Sequence, residues 1–451
     1  MIMLGTVADP VAARSQMGLS LGWHIVLACF GVGLPALTLF AEWRGLRKKD
    51  PVYGLLARRW AKVMGVLFAV GAVSGTILSI ELGVLWSGLM SNYGQVIGLP
   101  FTIEGIAFFI EAIFLGIYLY TWDRLPPKVH LLSGVPIIVA GVASAFFVVC
   151  ANSWMNTPRG FTISHGRLTH VDPWSAMFNP ATGPETTHMI LAALMVTGFG
   201  VASVYAVAIL RGRRDRYHRI GLLVPLSSAA ILTPLQIIVG DWAARMVAHE
   251  QPSKLAAMEG LATTTRGAPE AIGGYFSAGR LRDAVRIPDG LSMLVRLNPH
   301  ATVKGLDAFP ANDRPPLVTV VHTSFDAMVG IGFGLLALSV WLAWSWWRRH
   351  DYPTGRLFLV AVGVSGLAAA AAVELGWVTT EVGRQPWIVY GVLRVANAVN
   401  PEPGVQDELW AVGAVYAVLT IVTIAVLRRL AQSRPVPATP ELRDVEEYQV
   451  V

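Results

Sequence analysis

The sequence predicts an all-α integral membrane protein with nine transmembrane helices, and three observations support that fold class. Of the 451 residues, 54% are hydrophobic and 14% are charged, a composition far from that of soluble proteins. The chain contains nine apolar stretches of about 20 residues, the length that crosses a bilayer. Lysine and arginine are concentrated in alternate connections between these stretches.

The predicted spans follow one another along the whole chain. Each is an apolar run bounded by polar residues, glycine or proline, and they cover residues 17–43, 60–85, 101–122, 131–153, 186–210, 219–245, 317–347, 356–380 and 408–430. The first run has no small-residue cleavage site and is too long for the apolar core of a signal peptide. We therefore expect it to be retained as a span.

The cationic connections predict the orientation of the chain. Lysine and arginine cluster in "RGLRKKD", "DRLPPK", "RGRRDRYHR", "RRHDYPTGR" and "RRLAQSR". The positive-inside rule places these segments in the cytoplasm, so the N-terminus lies outside and the C-terminus inside, as an odd number of spans requires. The net charge of +6 then reports membrane topology, and nucleic-acid binding is not expected.

Between the sixth and seventh spans lies the longest polar connection. Residues 1–245 are predicted to carry spans 1–6, residues 246–316 a long outer loop, residues 317–430 spans 7–9, and residues 431–451 a polar cytoplasmic tail. Loops of this length are usually functional or disordered, so the outer loop is a candidate binding region.

Carboxylates inside the spans are candidates for proton transfer. Glu104 and Glu111 lie seven residues apart in span 3, so both project from one helix face about 10 Å apart. Glu374 and Glu381 repeat this spacing in span 8. An ionisable group costs roughly 2.5–3.5 kcal/mol to insert into a bilayer, and a functional role is the default explanation for one that is present.

A second set of side chains shares one predicted depth in the outer half of the membrane. It comprises His24, His188, Met328 and Glu381. A lone histidine is often a hydrogen-bonded packing residue, and a lone methionine is usually part of the core. Their common depth, and the absence of a thiolate set, favour haem iron over zinc. These residues alone indicate a multi-span protein with haems and a proton path, while a proton-coupled transporter remains an alternative.

Six stretches extend this interpretation because they resemble subunit I of the cytochrome bd family of quinol oxidases. The resemblance covers nearly all nine spans, and its stretches are "ARSQMGLSLGWHIVLACFGVGLPALTL", "IEGIAFFIEAIFLGIYLYTWDR", "VVCANSWMNTPRGF", "THMILAALMVTGF", "HTSFDAMVGIGFG" and "ELGWVTTEVGRQPW". The last is the most specific of them.

The resemblance implies two kinds of haem site. His188 and Met328 match the two axial ligands of a low-spin haem b, which closes its iron to oxygen. His24 and Glu381 match the single axial ligands of a high-spin haem b and of haem d, or of a further haem b, and which ligand holds which haem stays open. A haem-b subunit that only relays electrons to another protein would need the first site alone.

Further residues take roles from the same resemblance. Arg384 is expected to meet haem propionates through charge-assisted hydrogen bonds, and Trp377 and Trp387 to pack around the cofactor held by Glu381.

In the outer loop, "QPSKLAAMEG" resembles the quinol-binding segment of the family. It places Gln251, Lys254 and Glu259 at the quinol, where a lysine and a carboxylate can bind the headgroup and accept its protons. The loop is shorter than in the long-loop members of the family. Asp326 stands where some members have arginine, which removes a cationic contribution near Met328.

The resemblance implies a respiratory terminal oxidase in the bacterial cytoplasmic membrane. Quinol is oxidised on the outer side and oxygen is reduced to water with cytoplasmic protons, so the reaction is electrogenic without a pump. Glu104 and Glu111, with Glu374, are the expected proton-transfer residues. The expected partners are a homologous subunit II, small single-span subunits and the lipid bilayer. The span 3 carboxylates, taken as lipid-facing, give a second reason to expect subunit II.

Overall fold

The computed structural model describes residues 10–400 and 405–432, and most of them are helical. The helices in chain order are α1 (Pro10–Lys48), α2 (Pro51–Val84), α3 (Ser87–Tyr120), α4 (Pro127–Ser133), α5 (Val135–Asn156), α6 (Pro173–Met177), α7 (Thr182–Leu210), α8 (Arg216–Glu250), α9 (Pro252–Met258), α10 (Gly290–Arg296), α11 (Val318–Arg349), α12 (Arg356–Arg384) and α13 (Val405–Gln432).

Nine helical segments within the described residues are long and apolar enough to cross a membrane, with α4 and α5 together forming one of them. The predicted number of spans is therefore confirmed. The helices run past the predicted spans; α1 begins at Pro10, and α8 continues to Glu250. Hydropathy locates the apolar centre of a span, whereas backbone hydrogen bonding continues into its polar ends.

The connections fall at two ends of the helix bundle. At the end that we call the cationic end, the connections are short and tied by ion pairs. Arg216 of α8 reaches Asp50 before α2, with 2.5 Å between Nη2 and Oδ2, and Arg219 reaches Asp351 at the same separation. Asp50 also caps the N-terminus of α2 by accepting from the Val52 N–H.

The opposite end, which we call the loop end, carries the long connections. In the part of the chain that the structure describes, these connections contain ten short strands of two or three residues that pair as five two-stranded ladders: β1 (Thr162–Ser164), β2 (Arg167–Thr169), β3 (Thr265–Arg266), β4 (Glu270–Ile272), β5 (Tyr275–Ser277), β6 (Arg280–Arg282), β7 (Val285–Ile287), β8 (Thr302–Val303), β9 (Trp387–Val389) and β10 (Leu393–Arg394). Sequence analysis did not predict them, because two or three residues are too few to display a strand periodicity.

Small residues bring the spanning helices into close contact. A Cβ added at Gly366 of α12 would lie 2.8 Å from the Gly200 Cα of α7, and one at Gly198 would lie 2.8 Å from the Ala229 Cβ of α8. Such contacts replace the hydrophobic driving force that is absent between helices in lipid. Helices α7, α8, α11 and α12 pack into one four-helix unit, and α1 joins it to α2.

Candidate functional site

His24 on α1 has one ring nitrogen engaged and one free. Its Nδ1 lies 2.7 Å from the Ser74 hydroxyl of α2, and that hydroxyl donates to the Gly71 carbonyl. The hydroxyl therefore accepts from Nδ1–H, which leaves Nε2 with its lone pair. A Cβ at Gly75 would lie 3.3 Å from His24 Cε1, so the glycine keeps this ring clear. A metal-binding histidine needs this tautomer.

His188 on α7 lies against α8. The Gln236 amide nitrogen is 3.2 Å from its Nε2 and 3.3 Å from its Nδ1. A neutral imidazole has one acceptor nitrogen, so the Gln236 amide satisfies at most one of the two. A Cβ at Gly240 would lie 3.5 Å from His188 Cε1. One ring nitrogen of His188 is thus free of a protein partner.

Met328 on α11 points its sulfur at α12. A Cβ added at Gly376 would lie 2.8 Å from Met328 Sδ, closer than such atoms normally approach. The sulfur can therefore occupy this position only because residue 376 is glycine. His188 and Met328 belong to the same four-helix unit.

Glu374 on α12 faces α1. A Cβ at Gly22 would lie 3.2 Å from its Oε2, while its Oε1 is buried without a hydrogen-bond partner. An unpaired buried carboxylate oxygen is costly, so this group is poised for a proton, a water molecule or a ligand. Glu374 therefore lies near the level of His24 along α1, although residues two apart project from different sides of a helix.

Glu381 at the loop end of α12 has both carboxylate oxygens engaged. Oε1 accepts from the Asn152 amide of α5 at 2.8 Å, and Oε2 forms an ion pair with Arg384. Arg384 is 2% exposed, and its Nη1 donates to Asn156 at 3.2 Å. Its Nε has no protein partner. That orphaned donor fits the expected propionate contact, because a buried guanidinium N–H requires an acceptor.

The two tryptophans expected at this cofactor precede and follow Arg384 in the sequence. Trp377 is half-buried on α12, and Trp387 lies in β9 with the Arg394 guanidinium over its ring at 4.5 Å. One face of Trp387 is therefore occupied by a cation of the same connection.

Lys254 in α9 is buried, which sequence analysis did not predict. It is 2% exposed, and its Nζ donates to the side-chain oxygen Oδ1 of Asn156 at 3.0 Å. The Asn156 amide nitrogen in turn donates to Glu185 at 2.9 Å. Burial and the charge of Arg384 lower the Lys254 pKa to about 7, and the nearby carboxylates oppose that shift.

Glu259 is buried at the end of α9, beside Glu270 of β4. Burial, with the charges of Glu270 and Asp326, raises the Glu259 pKa well above its usual range. Burial and Asp326 raise the Glu270 pKa to about 6. Gln251, before α9, is fully buried, and neither polar atom of its side-chain amide has a partner.

Asp326 and His322 of α11 hold the outer loop. Asp326 accepts from the Gly273 backbone N–H at 2.5 Å, and His322 lies between two loop carbonyls, 2.6 Å from Met258 O and 2.9 Å from Gly273 O. The aspartate at 326 therefore fixes the turn between β4 and β5.

A cavity of about 360 Å³ lies between the loop and the first turn of α11. Its walls include Ala262, three residues after Glu259, together with Phe276, Leu306 and Val318. Its walls also include the polar residues Arg314 and Thr319, whereas Gln251, Lys254 and Glu259 do not line it.

The two carboxylates of α3 face α5 on one side of the helix, as their spacing predicts. Glu104 accepts from the Ser144 hydroxyl at 3.0 Å, and Glu111 Oε1 would lie 3.5 Å from a Cβ at Gly141, one turn earlier on α5. The expectation that both face lipid is wrong, because Glu111 is 6% exposed and its own chain covers it. The exposed side of α3 carries apolar residues such as Phe109 and Ile113.

A further buried cluster lies on the same face of α3, towards the cationic end. Tyr118, seven residues after Glu111, donates to Glu42 Oε2 at 2.6 Å. His130 Nδ1 lies 2.7 Å from Glu42 Oε1. Sequence analysis missed this cluster because Glu42 and His130 lie at the edges of predicted spans, where polar residues are ordinary.

The residues present fit haem better than a bare metal ion. Within residues 10–400 and 405–432, no group of three histidine, cysteine or carboxylate side chains could hold an ion. The candidate ligands instead lie on separate helices, and His188 of α7 and Met328 of α11 belong to one four-helix unit in which α8 and α12 each contact both of these helices.

Comparison with known proteins gives consistent matches along the chain. Residues 12–435 match the family described as cytochrome bd terminal oxidase subunit I. A Bacillus subtilis protein that bears the name of a cytochrome bd menaquinol oxidase subunit I is 38% identical over 95% of this chain and 98% of its own. Subunit 1 of a Bacillus subtilis cytochrome bd ubiquinol oxidase is 29% identical over 92% of this chain and 91% of its own. The solved bd oxidase from Geobacillus thermodenitrificans superposes with a TM-score of 0.87 at 38% identity, covering 95% of this chain and 99% of that one.

Proposed function

Because the chain belongs to the cytochrome bd terminal oxidase subunit I family, we propose that it is the haem-bearing subunit of a respiratory oxidase that oxidises membrane quinol and reduces oxygen. Relatives carry the names of menaquinol and ubiquinol oxidases, so the proposal is made for quinols as a class.

One observation carries the proposal. Three of the four candidate iron ligands face a glycine on the neighbouring helix, and each has a free nitrogen or sulfur there; the pairs are His24 with Gly75, His188 with Gly240, and Met328 with Gly376. Each glycine lets the ligand side chain lie directly against the next helix, which fixes the position of that side chain. His24 keeps Nε2, and His188 keeps one ring nitrogen, without a protein partner, as an iron ligand requires.

His188 and Met328 would hold a low-spin haem b, and His24 and Glu381 would each hold a haem with one open position, namely a high-spin haem b and haem d or a further haem b. When bound, these groups supply one-electron transfer and the binding and reduction of oxygen. The protein contributes the fixed tautomer of His24, the paired hydrogen bonds on Glu381, and the Arg384 Nε as a donor for a propionate.

Quinol would bind at the outer loop where α9 packs on α11. The cavity lined by Ala262, Leu306 and Val318 lies beside this contact, although Gln251, Lys254 and Glu259 do not line it. Gln251 has two unsatisfied amide atoms to offer a headgroup, and Lys254 adds an ammonium group. Burial raises the pKa of Glu259 well above its usual range, whereas the pKa of Glu270 is about 6, so Glu270 would accept protons and pass them outward.

Protons for water would enter from the cationic end, which the positive-inside rule assigns to the cytoplasm. Glu42 and His130 form the first buried pair, and Glu111, Glu104 and Glu374 would carry protons onward. Uptake on one side and release on the other would make the reaction electrogenic without a pump.

Subunit II and small single-span subunits would cover part of the exposed apolar surface in the bacterial cytoplasmic membrane. The exposed face of α3, with Phe109 67% and Ile113 60% accessible, is one such surface.

The test is a reduced-minus-oxidised absorption spectrum of the purified complex, with oxygen uptake driven by a soluble quinol. We expect a low-spin haem b band, a high-spin haem that binds carbon monoxide, and quinol-dependent oxygen consumption. Low-spin bands without carbon monoxide binding would indicate an electron-relay subunit, and an absence of haem would indicate a transporter; either result contradicts the proposal.

A further inference from the structure

Asn156, the last residue of α5, is a fully buried side chain with four polar partners. Its side-chain oxygen Oδ1 accepts from Lys254 Nζ at 3.0 Å and from Arg384 Nη1 at 3.2 Å. Its amide nitrogen donates to Glu185 Oε1 at 2.9 Å and to Asn152 Oδ1 at 3.2 Å. The two cations require the oxygen on their side, so the orientation of the amide is settled by its partners.

These partners join the outer loop to the candidate ligand Glu381. Lys254 belongs to α9 of the loop, whereas Arg384 pairs with one oxygen of Glu381 and Asn152 donates to the other. Asn156 contacts both Arg384 and Asn152, so Lys254 is connected to each oxygen of Glu381 through one shared amide. With Glu185, the group contains two cations and two carboxylates around a neutral centre.

The stem of Lys254 is also packed against the same helix. A Cβ at Gly383 would lie 2.9 Å from Lys254 Cγ, so this glycine of α12 lets the lysine pass between the loop and Arg384. Lys254 thus contacts α5 through its ammonium group and α12 through its carbon chain.

We propose that Asn156 is a positioning residue that couples docking of the outer loop to the setting of the Glu381 carboxylate. When Lys254 moves, for example because its ammonium group binds a quinol headgroup, the Asn156 side-chain oxygen is left with Arg384 as its only donor. The hydrogen bonds from Arg384 and Asn152 to Glu381 then change. The inference rests on the proposed roles of Lys254 and Glu381, and it adds a physical connection between them.

The first experiment compares Asn156→Ala with Asn179→Ala. Asn179 is a matched control because it is a buried asparagine at the loop end whose side-chain oxygen accepts from the Thr157 hydroxyl at 2.5 Å and the Ala181 N–H at 2.9 Å. It also contacts Ser153, so it supports the same end of α5 without a hydrogen bond to any of the four charged residues. Trypsin cleavage after Lys254, followed by mass spectrometry, reports loop docking. The carbon monoxide difference spectrum of dithionite-reduced protein reports the haem held by Glu381 without quinol.

We expect Asn156→Ala to speed cleavage after Lys254 by about tenfold, the equivalent of one lost charge-assisted hydrogen bond, and to change the spectrum. Asn179→Ala should alter neither, even if it lowers the melting temperature. A change in cleavage without a spectral change, or equal effects of both substitutions, overturns the coupling.

A second variant keeps the test decisive if Asn156→Ala does not fold. Lys254→Met removes the ammonium group and keeps most of the stem. It should shift the same spectrum, although Lys254 does not touch Glu381, and the double variant should shift it no further than Asn156→Ala alone. An unchanged spectrum in Lys254→Met refutes the coupling. Loss of quinol dependence is a separate outcome, because neither readout uses quinol.

Discussion

A single methyl group at Gly376 should displace Met328 from the proposed haem iron while leaving the fold intact. In the structure, a Cβ at this position lies 2.8 Å from Met328 Sδ. Ordinary contacts between carbon-sized atoms are about 3.5–4.0 Å, so the sulfur must move by roughly 1 Å. Iron–ligand distances tolerate only about 0.2 Å, so Gly376→Ala should remove methionine ligation.

The effect on stability should be small, because two contributions oppose each other. Moving a flexible methionine costs about 1 kcal/mol, and alanine is favoured over glycine inside a helix by about 1 kcal/mol. The assay is the low-spin haem spectrum and its reduction potential, with a melting curve on the same sample. We expect a weakened low-spin band, a lower potential and carbon monoxide binding at that iron, at a melting temperature close to that of the parent protein.

Gly363→Ala is the matched control on α12, since a Cβ there would lie 3.6 Å from Val207 Cγ2, an ordinary contact. It should leave the spectrum unchanged. An unaltered low-spin band and potential in Gly376→Ala would show that Met328 does not bind the iron. Equal losses in both variants would show that any alanine substitution on α12 disturbs the haem, whatever its distance from Met328.

Three further predictions concern quinol and protons. Replacing Lys254 or Glu259 by alanine should raise the KM for quinol or lower turnover at unchanged haem content and with the low-spin band intact, while the Lys254 variant alone also shifts the carbon monoxide spectrum. Full activity in the double variant would contradict a quinol role. Glu111→Gln should slow oxygen reduction at unchanged haem content, and unchanged turnover would remove Glu111 from the proton route. Quinol oxidation should rise with pH through about 6, because Glu270 accepts a proton only after losing its own, and Glu270→Gln should flatten that rise in a pH series of initial rates. A parallel rise in both proteins would assign the ionisation elsewhere.

The membrane architecture could be predicted because hydropathy and charge each act over a whole helix. Nine apolar runs and alternating cationic loops agree, and errors at helix ends such as Pro10 and Glu250 do not change the number of spans. The seven-residue spacing of Glu104 and Glu111 correctly placed both on one face of α3. Spacing alone carries no information about what covers that face, and for this reason the expected lipid exposure of Glu111 was wrong.

The connections within the site depend on tertiary contacts that periodicity cannot supply. Asn152 and Asn156 are neutral and lie near a span end, where polar residues are ordinary, and Glu185 lies one residue before a predicted span. Lys254 sits in a polar loop, so its burial beside Asn156 and Arg384 has no signal in the local sequence. The stretch "VVCANSWMNTPRGF" drew attention to this region through resemblance, without indicating which side chains meet there.

The central claim is that His188 and Met328 serve one closed low-spin site while His24 and Glu381 serve sites with an open position. It is tested most directly by paired spectra of His188→Ala and Glu381→Ala, purified and reduced chemically, with and without carbon monoxide. His188→Ala should lose the low-spin band and quinol-driven turnover but keep carbon monoxide binding at the oxygen-reducing haem. Glu381→Ala should weaken a high-spin haem and keep the low-spin band. A His188→Ala protein that retains the low-spin band would contradict the account.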